Sequence, residues 1–269
     1  LQNFTVGGLV GGARYTEIAS CDSGGSVSGS GDNRCSVGGL LGTAKTEVTV
    51  SNSGSSASVT NGGGAYTYAG GLVGLANEDI TIEGCSASGN AVGGDSCYAG
   101  GLIGNAYEGI TIKNSHATGN AQGGGGDSRV GGFVALAYDD VTIDGCHSTG
   151  DASCGSNSAA GGFAGVLSET DVTNCYAIGG LSAGSSSYAG GFAGYVIDVA
   201  AINCYATGSI AGSCSAVGGF AGYTKTSEIN NCYAAGSATG ATYVGGFIGA
   251  DYTATPSTVA YAYWNSSAA

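Results

Sequence analysis

The chain has 269 residues, among them 55 Gly, one Pro and no Met; Gly is a poor helix former and costly to order, so a helical bundle or an ordinary α/β enzyme is excluded. Apolar residues make up 42%, with 16 Tyr and 6 Phe, which excludes a Gly-rich disordered chain, and the single Pro excludes collagen. Six Lys and Arg, scattered along the sequence, against 19 Asp and Glu leave a formal charge of −13, so neither nucleic acid nor an anionic membrane surface is an expected partner.

The first residues, LQNFTVGG, lack the basic and apolar segments of a signal peptide, and no run approaches 18 apolar residues, so the chain reads as a mature or trimmed product without membrane insertion. The sequon at Asn3, and its counterpart at Asn265, would accept N-glycans in a eukaryotic secretory route.

From Gly7 onward one unit is written nine times. A Gly-Gly pair followed by a large apolar residue starts at Gly7, Gly38, Gly70, Gly100, Gly131, Gly161, Gly190, Gly218 and Gly245, at intervals of 27 to 32 residues. A second landmark follows each pair by 14 or 15 residues: Cys21, Ser53, Cys85, Ser115, Cys146, Cys175, Cys204, Cys232 and Ala260. Two residues after each start stand Leu9, Leu40, Leu72 and Leu102 in the first four units, and Phe133, Phe163, Phe192, Phe220 and Phe247 in the last five. Within a unit the pattern has period two, as in Ile80-Thr81-Ile82, and is broken by Gly, Asn and Asp. That pattern means short strands joined by turns, with no room for a helix. The expectation is an all-β fold: a single parallel β-solenoid of about nine coils filling residues 1–269, with Leu and Phe as an internal ladder. At about 4.8 Å per coil the rod is roughly 43 Å long. The paired glycines then serve either a close backbone approach or a turn with positive φ.

Gly70-Gly71-Leu72-Val73-Gly74 and Asn203-Cys204-Tyr205-Ala206-Thr207-Gly208 resemble the GLUG motif, a short repeat of secreted and surface-attached microbial proteins. Asn174-Cys175-Tyr176-Ala177 and Asn231-Cys232-Tyr233-Ala234 follow the same wording, and Ala262-Tyr263-Trp264-Asn265 resembles the ending of such arrays. The resemblance implies an extracellular or cell-surface solenoid of adhesin-like proteins and brings no catalytic residues with it. Units one to four depart from it, with residues other than Tyr after the Cys position.

Ten Cys without metal-ligand spacing suggest disulfides or buried thiols. Cys35, Cys97, Cys154 and Cys214 each follow a landmark Cys in the same unit by 8 to 14 residues, and units without a landmark Cys have no second one. The expected pairs are therefore Cys21–Cys35, Cys85–Cys97, Cys146–Cys154 and Cys204–Cys214, with Cys175 and Cys232 as buried thiols. The competing reading makes every landmark Cys a small core residue.

Three outward columns remain. The residue after each landmark includes Tyr176, Tyr205, Tyr233 and Tyr261, an aromatic row for a glycan or partner, or simply good strand formers. His116 and His147 precede them in the same row. Carboxylates, Glu17 through Glu228, recur 8 to 10 residues after each start in eight units. Stacked like charges invite Ca²⁺, or form an ordinary solvated edge that discourages sideways association. Thr49, Thr81, Thr111 and Thr142 make a short Thr row, which keeps ice binding as a minor reading.

No long insertion builds a cleft and both His lie in regular strand positions, so no catalysis, no cofactor and no structural metal are expected. The two functions left are a structural subunit that associates end to end into a filament, and an adhesive module that binds a glycan or cell-surface ligand.

Overall fold

The computed structural model describes residues 4–30, 34–252 and 255–265. It is all-β: nine coils pass in turn through three parallel sheets, and the first seven also through a fourth. In the third coil the strands are Thr67–Gly70, Val73–Glu83, Ser86–Ala87 and Ala91–Gly93, which define the first to fourth sheets. Every described pairing is parallel and joins a residue to its copy one coil along, as in Tyr68↔Tyr98, Ile82↔Ile112 and Phe192 N–H donating to the Phe220 carbonyl. Backbone hydrogen bonding is thus consumed between coils, and among the described residues no helix is long and apolar enough to cross a membrane.

The interior is two cores, not one. The larger lies between the second and third sheets and holds the Leu and Phe ladder from Leu40 onward, Leu9 being exposed, together with the landmark Cys, with Cys21 packed against its edge; the smaller lies between the first and fourth sheets and contains Cys35, Val37, Val59, Cys97 and Cys214. Phe133, Phe163, Phe192, Phe220 and Phe247 form a continuous stack with centroids 4.7–5.0 Å apart and planes within 12°. That separation is longer than a ring-to-ring van der Waals contact, so the rings are offset. Four of these Phe are fully buried, each worth about 1.5–3 kcal/mol in apolar burial.

The Gly-Gly pair makes the waist between the cores. A Cβ on Gly71 would lie 2.0 Å from the Gly101 carbonyl oxygen and 3.0 Å from the Ala87 Cβ of the third sheet. None of the paired glycines has a positive φ, so close approach, not turn geometry, is what requires them. A further Gly three residues on, Gly74, would place its Cβ 2.8 Å from the Val37 nitrogen one coil back. This third Gly lets the second sheet bend hard against the first, and a concave corner results on the outside.

The waist also explains why the four predicted disulfides do not form. All ten Cys are free thiols. In each expected pair, Cys21–Cys35, Cys85–Cys97, Cys146–Cys154 and Cys204–Cys214, one residue belongs to the larger core and the other lies in the smaller, with the glycine waist between them. The Cys85 thiol instead donates to the Glu83 carbonyl at 3.3 Å, whereas Cys97 Sγ faces Ser128 Oγ at 3.7 Å. Cys175 and Cys232 are buried thiols as expected.

Left-handed residues turn the coil at fixed places. One precedes the landmark: Ser20, Asn52, Gly84, Asn114, Gly145, Asn174, Asn203, Asn231 and Tyr261, all at φ between 46° and 65°. Asn tolerates this conformation because its short amide bonds locally. Here it also stacks: Asn203 Nδ2 donates to Asn174 Oδ1 at 3.1 Å and Asn231 Nδ2 to Asn203 Oδ1 at 2.6 Å. The last coil corrects one expectation. Tyr233 pairs with Tyr263 and Asn230 with Ala260, so the landmark of the ninth coil is Ala262, and Tyr261 is the exposed turn residue before it.

Candidate functional site

Where the first sheet meets the bent second sheet, three outward columns face one another along the rod. The first stands two residues before each Gly-Gly start and includes Tyr68, Tyr98, Arg129, Tyr188 and Tyr243. The second stands five residues after the start and includes Leu75, Leu136, Val166, Tyr195 and Tyr223; the third, two residues further, includes Arg14, Lys45, Tyr107, Tyr138 and Lys225. Rings touch across the corner: Tyr188 lies 4.5 Å from Tyr195 at an interplanar angle of 35° and 5.8 Å from Tyr223 at 83°. The Arg129 guanidinium sits 5.6 Å over the Tyr98 ring.

Concavities follow this line. A cavity of about 400 Å³ at the N-terminal end is lined by Arg14, Arg34, Lys45, Thr43 and Tyr68, with Asn77 and Glu78 at its side. One of about 410 Å³ lies midway between Tyr98, Arg129, Tyr138 and Tyr195, and an adjoining one of about 240 Å³ is lined by Tyr188, Tyr195 and Arg129, with Asp127 at its rim. Together they make a groove. Burial raises the phenol pKa of Tyr68, Tyr98 and Tyr195 above its usual value, so these hydroxyls are neutral donors at physiological pH. Arg34 acts against that rise at Tyr68, which places its charge beside the phenol.

Charge is segregated here in a way the linear sequence hid. The cations scattered in sequence converge: Arg14, Lys45, Arg129 and Lys225 occupy the three columns and Arg34 lines the cavity, so only Lys113 of the six lies elsewhere. No column position carries Asp or Glu. The signal was available in arithmetic, since nine of the 16 Tyr stand at the three offsets.

The row singled out from the sequence lies on the third sheet. His116, His147, Tyr176 and Tyr205 stack face to face at 5.1, 4.6 and 4.8 Å with planes within 7°. Tyr233 and Tyr263, not Tyr261, continue the column. Desolvation, then the neighbouring His116, lowers the His147 pKa from its usual 6.5.

The acidic column divides. Glu47, Asp79, Glu108, Asp139, Glu169 and Asp198 occupy a left-handed corner of the second sheet, whereas Glu17 and Glu228 pair within the Thr row beyond it. Among the described residues no group of three or more His, Cys, Asp or Glu is arranged to hold a metal ion. Thr49, Thr81, Thr111 and Thr142 do stand in register, and the row passes to Asp171, Ala200 and Glu228 in the next coils. Of the two sequons, Asn265 ends the exposed last described strand and Asn3 lies outside the described residues.

The architecture is thus a parallel β-solenoid with a longitudinal groove. The GLUG motif family matches it at residues 65–93, 95–122 and 213–239; the first two matches run from the first sheet to the fourth, and the third from the first sheet through the third. Three stretches of the chain thus carry the GLUG motif, and the motif has a physical reading here: Asn turns and stacks, Cys fills the larger core, Tyr faces out and Ala meets the glycine waist. No curated protein matches the chain. The repeat and the fold fit a structural or adhesin-like role.

Proposed function

We propose that this solenoid is a noncatalytic adhesive module that works outside the cell and holds an extended glycan along its groove. The observation that carries this reading is the Tyr188, Tyr195 and Tyr223 cluster, in which rings tilt across a concave corner. Sugars present apolar C–H faces that pack on aromatic rings. A peptide strand has nothing to pair with in the groove, because the backbone there is already bonded from coil to coil. An extracellular setting is supported by the surface, where charged residues are only 9% of the chain, and by the motif; free thiols remove disulfides from that case. Affinity electrophoresis in gels containing soluble polysaccharides tests the proposal. Retention of the protein, lost on Tyr195→Ala, is the expected result; no retention in any gel, or retention unchanged in Tyr195→Ala and Tyr188→Ala, would overturn it.

End-to-end association is the second reading. Among the described strands, Thr5–Gly7 is paired on one side only, beside exposed Phe4 and Leu9, and an open strand edge is a template for another chain. Sedimentation of a dilution series tests it, a single monomeric species being the adverse outcome.

A further inference from the structure

We infer that the groove is selective for acidic polysaccharides, and that the cavity at its N-terminal end seats their anionic group, a carboxylate or a sulfate ester. The inference rests on the groove being a glycan site and adds the chemistry of the glycan. Arg14, one residue past the end of its strand, stands beside Lys45 of the next coil, since Ala13 pairs with Ala44 just before them and Tyr15 N–H donates to the Thr46 carbonyl just after. Parallel strands lie about 4.8 Å apart, so two cations are held side by side at the cost of mutual repulsion. Arg34 reaches the same cavity from the turn before the first sheet, where its φ is 56°. Three of the six cations of a chain with net charge −13 therefore surround one concavity. An anion between them relieves the repulsion, and a guanidinium binds carboxylate or sulfate through paired N–H donors.

A second observation points the same way. Thr43 lines this cavity, is only 3% exposed, and its hydroxyl has no hydrogen-bond partner within the protein. A buried hydroxyl without a partner is costly, and an oxyanion in the cavity supplies the acceptor. Glu78 also lines the cavity, but its Oε2 accepts a hydrogen bond of 3.0 Å from Thr46 Oγ1. That bond ties one carboxylate oxygen to Thr46. Further along, Arg129 and Lys225 repeat single positive charges in the columns, which suits a polymer bearing acid groups at intervals better than one terminal anion.

Titration calorimetry of the whole chain with three oligosaccharides of similar length decides it: a polygalacturonate fragment, a sulfated galactan fragment and a neutral galactan fragment. The acidic probes are expected to bind at least about tenfold more tightly than the neutral one at low salt, with the preference shrinking as salt rises. Arg14→Gln with Lys45→Gln, both exposed and outside the cores, should abolish that preference, bringing affinity for the acidic probes down to that for the neutral one. Thr43→Val should weaken the acidic probes more than the neutral one. Protonation below about pH 4 releases polygalacturonate but not the sulfated fragment, which separates the two anions. Equal affinity for acidic and neutral probes, or a preference that survives Arg14→Gln/Lys45→Gln, overturns the inference while the groove stands. Tyr195→Ala weakens all three probes if the groove is the site; its failure to do so sinks the groove itself.

Discussion

Two aromatic surfaces run along this rod, and they spend their rings differently. On the third sheet His116, His147, Tyr176 and Tyr205 stack within 7° of parallel, so each inner ring has a neighbour on both faces and offers solvent only its edge. In the groove Tyr188, Tyr195 and Tyr223 meet at 35° to 83°, which leaves faces turned toward the concavity. On the third sheet the coil spacing draws this column into one stack, whereas Tyr195 and Tyr223, consecutive in one column beside the corner, meet at 63°. A corner breaks that spacing, because rings from two sheets approach at an angle. The row most visible in the sequence is a continuous stack, whereas the rings at the bend tilt toward the concavity.

The sharpest way to break the contrast is to fill the bend. Gly194 is the corner glycine of the seventh coil, and a Cβ there would lie 2.7 Å from the Gly165 carbonyl oxygen and 2.8 Å from the Ala160 nitrogen. Gly194→Ala is expected to cost about 3 kcal/mol in chemical denaturation, the upper range for overpacking, because only backbone stands in the way. A cost below 1 kcal/mol would mean that the seventh coil accommodates a Cβ at its corner as the fifth coil does at Ala135, and that this glycine does not set the bend. Next in size is the stack. Tyr176→Ala removes ring contacts to His147 and Tyr205 and should lower stability by about 1–3 kcal/mol, with glycan retention intact. Tyr195→Ala should do the reverse: little loss in the denaturation midpoint and about a three- to tenfold loss of affinity. Equal binding defects in both variants would erase the distinction between stack and groove.

How these surfaces could be read in the sequence differs for physical reasons. The nine coils, the Leu and Phe ladder and the outward Tyr row follow from a repeat of fixed offset, since parallel in-register pairing brings equal offsets together. Offsets say nothing about where the cross-section bends. The columns two before and five or seven after each Gly-Gly are easy to count, but only the close approach at Gly74 and its copies makes them face each other. The cysteines misled for the same reason: Cys85 and Cys97 share a coil and both point inward, yet into separate cores. Ala260 took the landmark place in the ninth unit by spacing alone, whereas register gives that place to Ala262, because the chain between Gly245 and Tyr263 is longer than in the eighth coil.

That separation of cores has its own consequence for thiol chemistry. Burial pushes the Cys154 thiol up to about 11 and raises those of Cys85, Cys97 and Cys214 as well. A thiolate is the reactive form, and Cys21 is half-buried where the other nine are buried. A thiol-specific reagent should thus modify about one Cys in the native protein and all ten after denaturation without reductant. Recovery of only two thiols in the denatured chain would restore the four pairs and contradict the two-core arrangement.

The smallest effect belongs to the histidines of the stack. Burial, and then the stacked His116, lower the His147 pKa in the folded state, so between that value and 6.5 the unfolded chain binds the proton more readily. Stability is then full above about pH 6.5 and declines as pH falls below it, by the linkage between protonation and folding. Asp144 is held low chiefly by hydrogen bonds from Asn174 and Thr173, and its contribution disappears only below the usual carboxylate range near 3.8. Between pH 7.5 and 5 the slope therefore reports His147. His147→Tyr, which continues the neutral stack, should flatten the midpoint against pH, while Tyr195→Ala leaves the slope as it was. A slope that persists in His147→Tyr would move the titration away from the third sheet and leave the stack pH-independent.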